Sequence, residues 1–342
     1  MIPAFRPTIR RADMDAVLTR LAEDSIGSGG LAAEFSQKLA RYVQRRSGVS
    51  MRSYGHAFTT AFSALGLEPG ARVGYSVLSH DVVRRLLLQA GFEPVPIDTQ
   101  KVLPVLPSPL DVDYQALDLA ALYVDARLGY VADLDNLGNL GIPLVEDVSE
   151  GLGGNTGTTM AGAAGDITLI GLEPEHIITA GGGAVVATSH SRRVPLLNSA
   201  VDGTLGNPPL PDMNAALGLT QIKQLERFVE RRQELAARFL RTVQKTRHVL
   251  PVQAGEGENV FFALPLLVDS SPRDVEQYAR THGVTVTRAF SGSALIVGSD
   301  EIPAESFPNA LSLASRMVLF PLYPTLGKTE QERVERVLST IP

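Results

Sequence analysis

Two histidines and two carboxylates carry side chains that could do acid–base or cofactor chemistry: His80, Asp147, Glu150 and His176. A histidine exchanges protons near neutral pH, and a carboxylate in a protein interior can hold a positively charged group. The same side chains could bind a divalent ion, but they come from separate segments, and no His-x-x-x-His spacing supports that use. We therefore predict no metal site.

The segments that would position these side chains alternate between short apolar runs and helical patterns. The patterns predict strands at residues 72–77, 94–98, 122–126, 143–148, 166–171 and 183–188. They also predict a helix at 81–90, where Gly91 is a typical stop. Such alternation favours a mainly parallel sheet covered by helices, with ligands at the carboxyl ends of the strands. Asp125 and the pair Glu146 and Asp147 stand at such ends.

A long helical pattern separates this part from a smaller C-terminal part. Residues 213–243 carry apolar side chains at helical spacing, which predicts one long helix or two in line. Beyond it we predict strands at 259–268 and 284–288 and helices at 274–281 and 328–338. The chain is thus predicted to form a large domain, residues 1–230, and a small α+β domain, residues 231–342. The arginine pairs at 84–85 and 231–232 are predicted to lie on solvated helix faces.

The composition excludes several classes of function. The 342 residues have a formal net charge of −6 and include no cysteine, which rules out disulfides and a cysteine nucleophile. Because no basic run could neutralise phosphates, a nucleic-acid partner is not expected. No apolar run approaches the length of a membrane span, and no signal-peptide pattern is present. A cytoplasmic protein without membrane association is therefore expected.

Several short patterns occur in one order along nearly the whole chain. They are LGLEPG at 65–70, AGFEP at 90–94, ED at 146–147, GD at 165–166, TAGGGAVVAT at 179–188, NAALGLTQ at 214–221 and FPLYP at 320–324. In this order they resemble the DegT/StrS-type sugar aminotransferase family of pyridoxal-phosphate enzymes. The resemblance implies an α/β, fold-type I (aspartate-aminotransferase-like) large domain with a mixed, mainly parallel sheet, plus a small C-terminal α+β domain.

The resemblance also implies partners and a pathway. Members of the family are homodimers with the active site at the subunit interface. They use pyridoxal phosphate or its amine form, pyridoxamine phosphate, and most transfer an amino group from glutamate to a nucleotide-linked keto sugar. The products enter surface polysaccharides or glycosylated natural products. We therefore expect a homodimer, a nucleotide-sugar ligand and, if the cofactor site is intact, pyridoxal phosphate.

Three residues correspond to positions around the cofactor ring in the family. Asp147 falls where a carboxylate pairs with the ring nitrogen, and His80 falls where an aromatic side chain stacks on the ring. Glu150 falls beside the ring oxygen, where the family usually has glutamine or histidine. If both carboxylates are buried and close together, the pKa of one should be raised. A solvated loop position for Glu150 is the open alternative.

The phosphate-binding positions of the resemblance are altered. Gly55 and His56 offer backbone amides at a predicted helix start, where the helix dipole favours an anion. The ungapped alignment places Tyr54 on a glycine of the family, however, and Gly171 on a serine whose hydroxyl reaches the phosphate. Asn207 matches an asparagine that the family donates from the partner subunit.

The lysine that forms the Schiff base in the family has His176 at its position. An imidazole cannot form the stable Schiff base that an amine forms. A branch of the family, the sugar 3-dehydratases, carries histidine here as a general base and holds its cofactor without a covalent bond. Glu173 and Glu175 add negative charge, which opposes a phosphate. The favoured interpretation is a pseudoenzyme-like homologue that does not transaminate; a His176-based enzyme ranks second and a conventional aminotransferase last.

Overall fold

In the computed structural model, one seven-stranded sheet forms the centre of the larger part of the chain. The structure describes residues 1–201, 207–251, 253, 257–298 and 300–342. The strands of this sheet are β1 (Ser47–Met51), β2 (Arg72–Ser76), β3 (Glu93–Ile97), β4 (Ala121–Asp125), β5 (Leu144–Asp147), β6 (Ile167–Gly171) and β7 (Ala184–Thr188). Their spatial order is β1-β7-β6-β5-β4-β2-β3.

All strands of this sheet except β7 point in the same direction. β7 is antiparallel to both of its neighbours, β1 and β6, and the other pairs are parallel. The carboxyl ends of β4 and β5 lie side by side, because Asp125 and Asp147 are partners in the register. A mixed, mainly parallel sheet was predicted. The strand order places Asp125 and Asp147 next to each other at the carboxyl ends of two central strands.

Helices pack on the sheet and connect its strands. The described helices are α1 (Arg11–Ala22), α2 (Gly30–Tyr42), α3 (Tyr54–Ser63), α4 (Asp81–Gln89), α5 (Leu134–Leu137), α6 (Val194–Ala200), α7 (Asp212–Ile222), α8 (Leu225–Val243), α9 (Pro272–Thr281), α10 (Ala294–Val297), α11 (Pro308–Arg316) and α12 (Lys328–Leu338). The helical pattern at 213–243 corresponds to two helices, α7 and α8, which are interrupted at Lys223 and Gln224.

A second, three-stranded antiparallel sheet lies in the C-terminal part. It consists of β8 (Leu264–Leu267), β9 (Thr287–Arg288) and β10 (Met317–Phe320), in the order β8-β10-β9. α8 contributes Phe228 to the core around the large sheet and Phe239 to a separate core around the small one. A boundary at residue 230 falls inside this helix, so the division into 1–230 and 231–342 stays a prediction. Ile2 also packs in the second core.

The C-terminal part differs from the sequence prediction around a buried arginine. Arg232 is only 3% exposed, and its Nη1 donates to the carbonyl oxygens of Phe261 and Phe262 at 3.0 and 2.9 Å. The strand predicted at 259–268 begins only at Leu264, after these two residues. The prediction of a solvated face is wrong for Arg232 and also for Arg84, which is 9% exposed.

Within the described ranges, no helix is long and apolar enough to cross a membrane.

Candidate active site

A cavity of about 780 Å³ opens at the carboxyl ends of β4 and β5. Its walls combine segments that are far apart in sequence. Tyr54 comes from the first turn of α3, His80 from the start of α4, and His176 from the loop after β6. Phe262 and Arg288 come from the C-terminal part of the chain. One cavity is thus lined by the predicted catalytic residue, His176, and by three residues predicted to lie near the cofactor ring: His80, Asp147 and Glu150.

Asp147, at the floor of the cavity, already accepts hydrogen bonds on both oxygens. The hydroxyl of Tyr54 donates to its Oδ2 at 2.5 Å, and the hydroxyl of Tyr123 donates to the same atom at 3.0 Å. The amide of Ser149 donates to Oδ1 at 2.8 Å. Burial, followed by the charge of Asp147, raises the pKa of both tyrosines well above the ordinary value, so both hydroxyls remain donors.

The local fold explains why Tyr54 reaches this carboxylate. Ser53 caps α3, and its Oγ accepts from the amide of His56 at 3.2 Å. Tyr54 is therefore the first residue of the helix, and side chains of a helix lean toward its N-terminus, here toward the sheet edge. The Tyr54 ring packs on Phe58, which also packs on Tyr123, with ring centroids 6.2 and 5.6 Å apart.

Glu146, the other acidic residue at the end of β5, faces away from the cavity. Side chains alternate along a strand, so Glu146 points to the opposite face from Asp147. There it accepts from the amide of Gly162 at 2.8 Å and pairs with Arg45 at 3.3 Å. Although burial raises the pKa of Glu146, these partners compensate its charge. We assign Glu146 a role in holding the fold.

His176 lies directly over Gly171, the last residue of β6. A Cβ atom at Gly171 would stand 2.7 Å from the His176 Cε1 and 2.7 Å from the Ser149 Oγ. The amide of Glu173 donates to His176 Nδ1 at 3.1 Å. In the neutral ring the remaining proton is then on Nε2, which makes Nε2 a donor rather than a proton acceptor.

Glu150 is neither a second unpaired charge nor a solvated loop residue. It forms an ion pair with Arg127, and both side chains are mostly buried, at 17% and 13% exposure. The amide of Leu128 donates to the second oxygen of Glu150 at 2.7 Å. The expected repulsion between Glu150 and Asp147 is thus replaced by attraction to Arg127. His80 lies nearby against Gly292, and burial and the Arg127 charge lower the pKa of His80.

Asp125 is a further residue of the cavity, for which the sequence predicted a strand-end position but no specific role. It lines the cavity, is 8% exposed, and its Oδ1 has no hydrogen-bond partner within the described part of the chain. Burial raises the pKa of Asp125 to about 7, although the neighbouring Arg127 opposes that shift. Its position at a strand end beside Asp147 was the available signal, because such ends meet at one sheet edge.

The remaining predicted positions lie away from the cavity lining. Gly55 and His56 are half-buried in the first turn of α3, and Asn207 is exposed. Among the described residues that line the cavity there is no lysine. All five lysines of the chain are exposed elsewhere: Lys38, Lys101, Lys223, Lys245 and Lys328.

The sheet and the cavity together define a class of protein. The sheet has seven strands with one reversed, and an aspartate at the end of a central strand lines a cavity, which agrees with the fold-type I architecture that the resemblance implies. The sequence profile of the DegT/DnrJ/EryC1/StrS aminotransferase family matches residues 7–339. The chain belongs to this family, and the predicted fold class is confirmed.

Two characterised relatives and one solved structure illustrate the similarity. UDP-4-amino-4,6-dideoxy-N-acetyl-beta-L-altrosamine transaminase of Campylobacter jejuni is 25% identical over 72% of this chain and 71% of its own. The spore coat polysaccharide biosynthesis protein SpsC of Bacillus subtilis is 22% identical over 97% and 95% of the two chains. Spr1654 of Streptococcus pneumoniae in its PMP form has a TM-score of 0.89 and 17% identity, covering 99% of this chain and 97% of that one.

The residues present here do not fit the cofactor found in that structural neighbour, which also has a PLP form. Asp147 Oδ2, the predicted acceptor for a ring nitrogen, is taken by two tyrosine hydroxyls. Gly171, at a predicted phosphate position, has no hydroxyl, and the His176 ring covers it. Glu173 and Glu175 line the same cavity and would repel a phosphate dianion.

Proposed function

We propose that this member of the sugar aminotransferase family does not transaminate and acts through what it binds, in nucleotide-sugar or surface-polysaccharide biosynthesis. The observation that carries the proposal is the hydrogen bond from Tyr54 to Asp147 at 2.5 Å. A pyridinium nitrogen needs a carboxylate partner so that the ring can accept electrons, and here the chain supplies its own partner to that carboxylate.

The position of His176 supports the same proposal. We infer that His176 replaces the lysine of the family, because it lines the cavity while the described lining contains no amine side chain. Without an amine, no covalent bond to a pyridoxal aldehyde can form, and no lysine is available to move protons during amino transfer.

A His176-based enzyme with a non-covalently held cofactor is the second candidate. The presence of His176 in the cavity favours it. Two contacts count against it: the Glu173 amide occupies His176 Nδ1, and the Tyr54 hydroxyl occupies Asp147. A general base needs a free lone pair facing its substrate, and in this tautomer Nε2 carries a proton instead.

We also propose that the protein is a homodimer. α1 presents Met14, Leu18 and Leu21 at helical spacing, and these side chains are 51%, 59% and 46% exposed. α1 packs on α7, which begins five residues after Asn207, the asparagine that the family resemblance assigns to the partner's site. An obligate interface of this kind should bury at least ~2,000 Å² and be largely apolar.

The proposal is tested by the first half of a transamination, which needs no knowledge of the sugar. The purified protein is mixed with pyridoxal phosphate and L-glutamate, and formation of pyridoxamine phosphate is followed by absorption and chromatography. We expect no conversion above the rate without protein. Glutamate-dependent conversion that scales with protein concentration would contradict the proposal. If the cofactor binds tightly but is not converted, the result favours the His176-based enzyme.

A further inference from the structure

The cavity at the ends of β4 and β5 has an excess of negative charge. Five carboxylates line it within the described residues, against two guanidinium groups: Asp125, Asp147, Glu150, Glu173 and Glu175 against Arg127 and Arg288. Both arginines already have an acidic partner. Arg127 pairs with Glu150, and the Arg288 Nε lies 3.7 Å from Glu276. The Arg127 charge is thus compensated within the cavity, whereas the Arg288 side chain is 55% exposed and reaches Glu276 only through Nε.

Of the five carboxylates only Glu150 forms an ion pair, whereas Asp147 accepts from two tyrosine hydroxyls and a backbone amide. Neither Glu173 nor Glu175 has a basic nitrogen of the described chain within 4.0 Å. Asp125 is 8% exposed, and its Oδ1 accepts no hydrogen bond from a described residue. A buried acceptor without a donor is costly, so a ligand that brings a donor would stabilise this site. Asp125, Glu173 and Glu175 thus form no ion pair within 4.0 Å, although the Arg127 charge acts on Asp125 from a greater distance.

The remaining walls are apolar and aromatic. Phe5 and Phe262 pack together with ring centroids 5.2 Å apart, and the His176 ring centroid lies 6.4 Å from that of Phe262. Val82, Leu128 and Leu319 also line the cavity. Aromatic faces attract cations, and aliphatic side chains favour an apolar ligand body.

We propose that this cavity binds a small organic ammonium ion with an apolar body. The ammonium group donates to the carboxylates of Glu173, Glu175 and Asp125, and the body lies against Phe5 and Phe262. Carboxylates outnumber guanidinium groups in the described lining, so a phosphate or nucleotide diphosphate, and with it the nucleotide sugar expected from the family resemblance, is disfavoured in this cavity. The inference rests on the proposed function in one respect, that pyridoxal phosphate does not fill the site.

The test uses two probes with the same phenylethyl body. One carries a charged amine, and in the other the amine is acetylated and therefore neutral. The cofactor-free protein is titrated with 2-phenylethylamine and with N-acetyl-2-phenylethylamine, and ligand-observed NMR gives the dissociation constants. We expect the amine to bind at least about tenfold more tightly than its neutral derivative, as charge pairing and cation–π contact require. Inorganic phosphate should not bind the cavity. Equal affinity for the two probes, or no binding of the amine at ~10 mM, overturns the proposal.

Variants assign the effect to this cavity. The double variant Glu173→Gln/Glu175→Gln should remove most of the preference for the amine, whereas Glu305→Gln, an exposed carboxylate elsewhere, should leave it unchanged. An undiminished preference in the double variant overturns the assignment. Failure of the proposed function is seen separately, as cofactor conversion in the presence of glutamate, which this titration does not measure.

Discussion

His176 and Gly171 fit together as a pair. The imidazole lies where a side chain at Gly171 would otherwise stand, because a Cβ atom there would be 2.7 Å from His176 Cε1. The backbone of Gly171 is not in the left-handed region, so the need for glycine is steric rather than conformational. Glycine at 171 and histidine at 176 thus depend on each other sterically.

Gly171→Ala is expected to destabilise the protein by about 1–3 kcal/mol, the usual cost of overpacking a buried site. His176→Ala in the same chain should recover part of that loss, since Ser149 Oγ would still lie 2.7 Å from the new Cβ. Urea unfolding measures the free energy of unfolding of the single and of the double variant. Gly30→Ala is the control, because nothing lies within 4 Å of a Cβ there. A Gly171→Ala protein as stable as the parent would show that His176 does not occupy this position.

Asp125 should make the protein less stable as the pH rises. Burial raises its pKa from an ordinary value of 3.8 to about 7 in the folded chain. The folded state therefore holds a proton that the unfolded state releases, and stability falls between about pH 4 and pH 7, by up to about 4 kcal/mol. The measurement is the free energy of unfolding across this range.

Asp125→Asn isolates this contribution, since an amide does not titrate. The variant should gain stability relative to the parent as the pH rises from about 4 to above 7. Asp15→Asn, whose side chain is 63% exposed, should follow the parent at every pH. A stability difference between Asp125→Asn and the parent that does not change with pH would contradict the assignment.

The homodimer is tested at the exposed face of α1. Leu18→Glu places a charge in the proposed interface and should shift the dissociation constant of the dimer upward by at least about tenfold. Sedimentation at micromolar concentration measures it. Leu110→Glu, at an exposed leucine outside this face, should sediment like the parent. A parent protein that sediments only as a monomer would refute the dimer.

Tyr54 controls access to Asp147 if the proposed function is correct. In a His176→Lys background, Tyr54→Gly removes the ring and the hydroxyl that Asp147 Oδ2 now accepts. We expect pyridoxal phosphate to bind the double variant at least about tenfold more tightly than His176→Lys alone, since freeing a hydrogen-bonded charge is worth about 1.5–3 kcal/mol. An unchanged affinity would mean that Tyr54 does not block the ring.

The sequence predicted the large sheet well because its strands are buried, apolar and closed by turn residues. β1 was not predicted, because Ser47–Met51 is rich in small residues and lacks a strong apolar pattern. Its Gly48 is required by tertiary packing: a Cβ there would be 2.7 Å from the carbonyl oxygen of Ser36 in α2. No local pattern reveals such a close approach.

The cavity was predicted in part. Strand-end position identified Asp147, and the family resemblance placed His80, Glu150 and His176. The partners of these residues were not predictable, because Arg127 meets Glu150 and Tyr54 meets Asp147 only after folding. The burial of Arg232 was not predictable either. A charged residue on a helix was expected in solvent, but Arg232 donates to carbonyl oxygens of segments that are distant in sequence.

The proposed absence of cofactor chemistry is tested most directly by a titration of the parent protein and of His176→Lys with pyridoxal phosphate, followed by borohydride and mass measurement. We expect that neither protein gives a tightly bound yellow species or a reduced covalent adduct. The variant carries a lysine at 176, but Tyr54 still occupies Asp147, and Gly171, at the predicted phosphate position, has no hydroxyl. A His176→Lys protein that turns yellow at once, binds the cofactor tightly and is reduced by borohydride would contradict the proposed function.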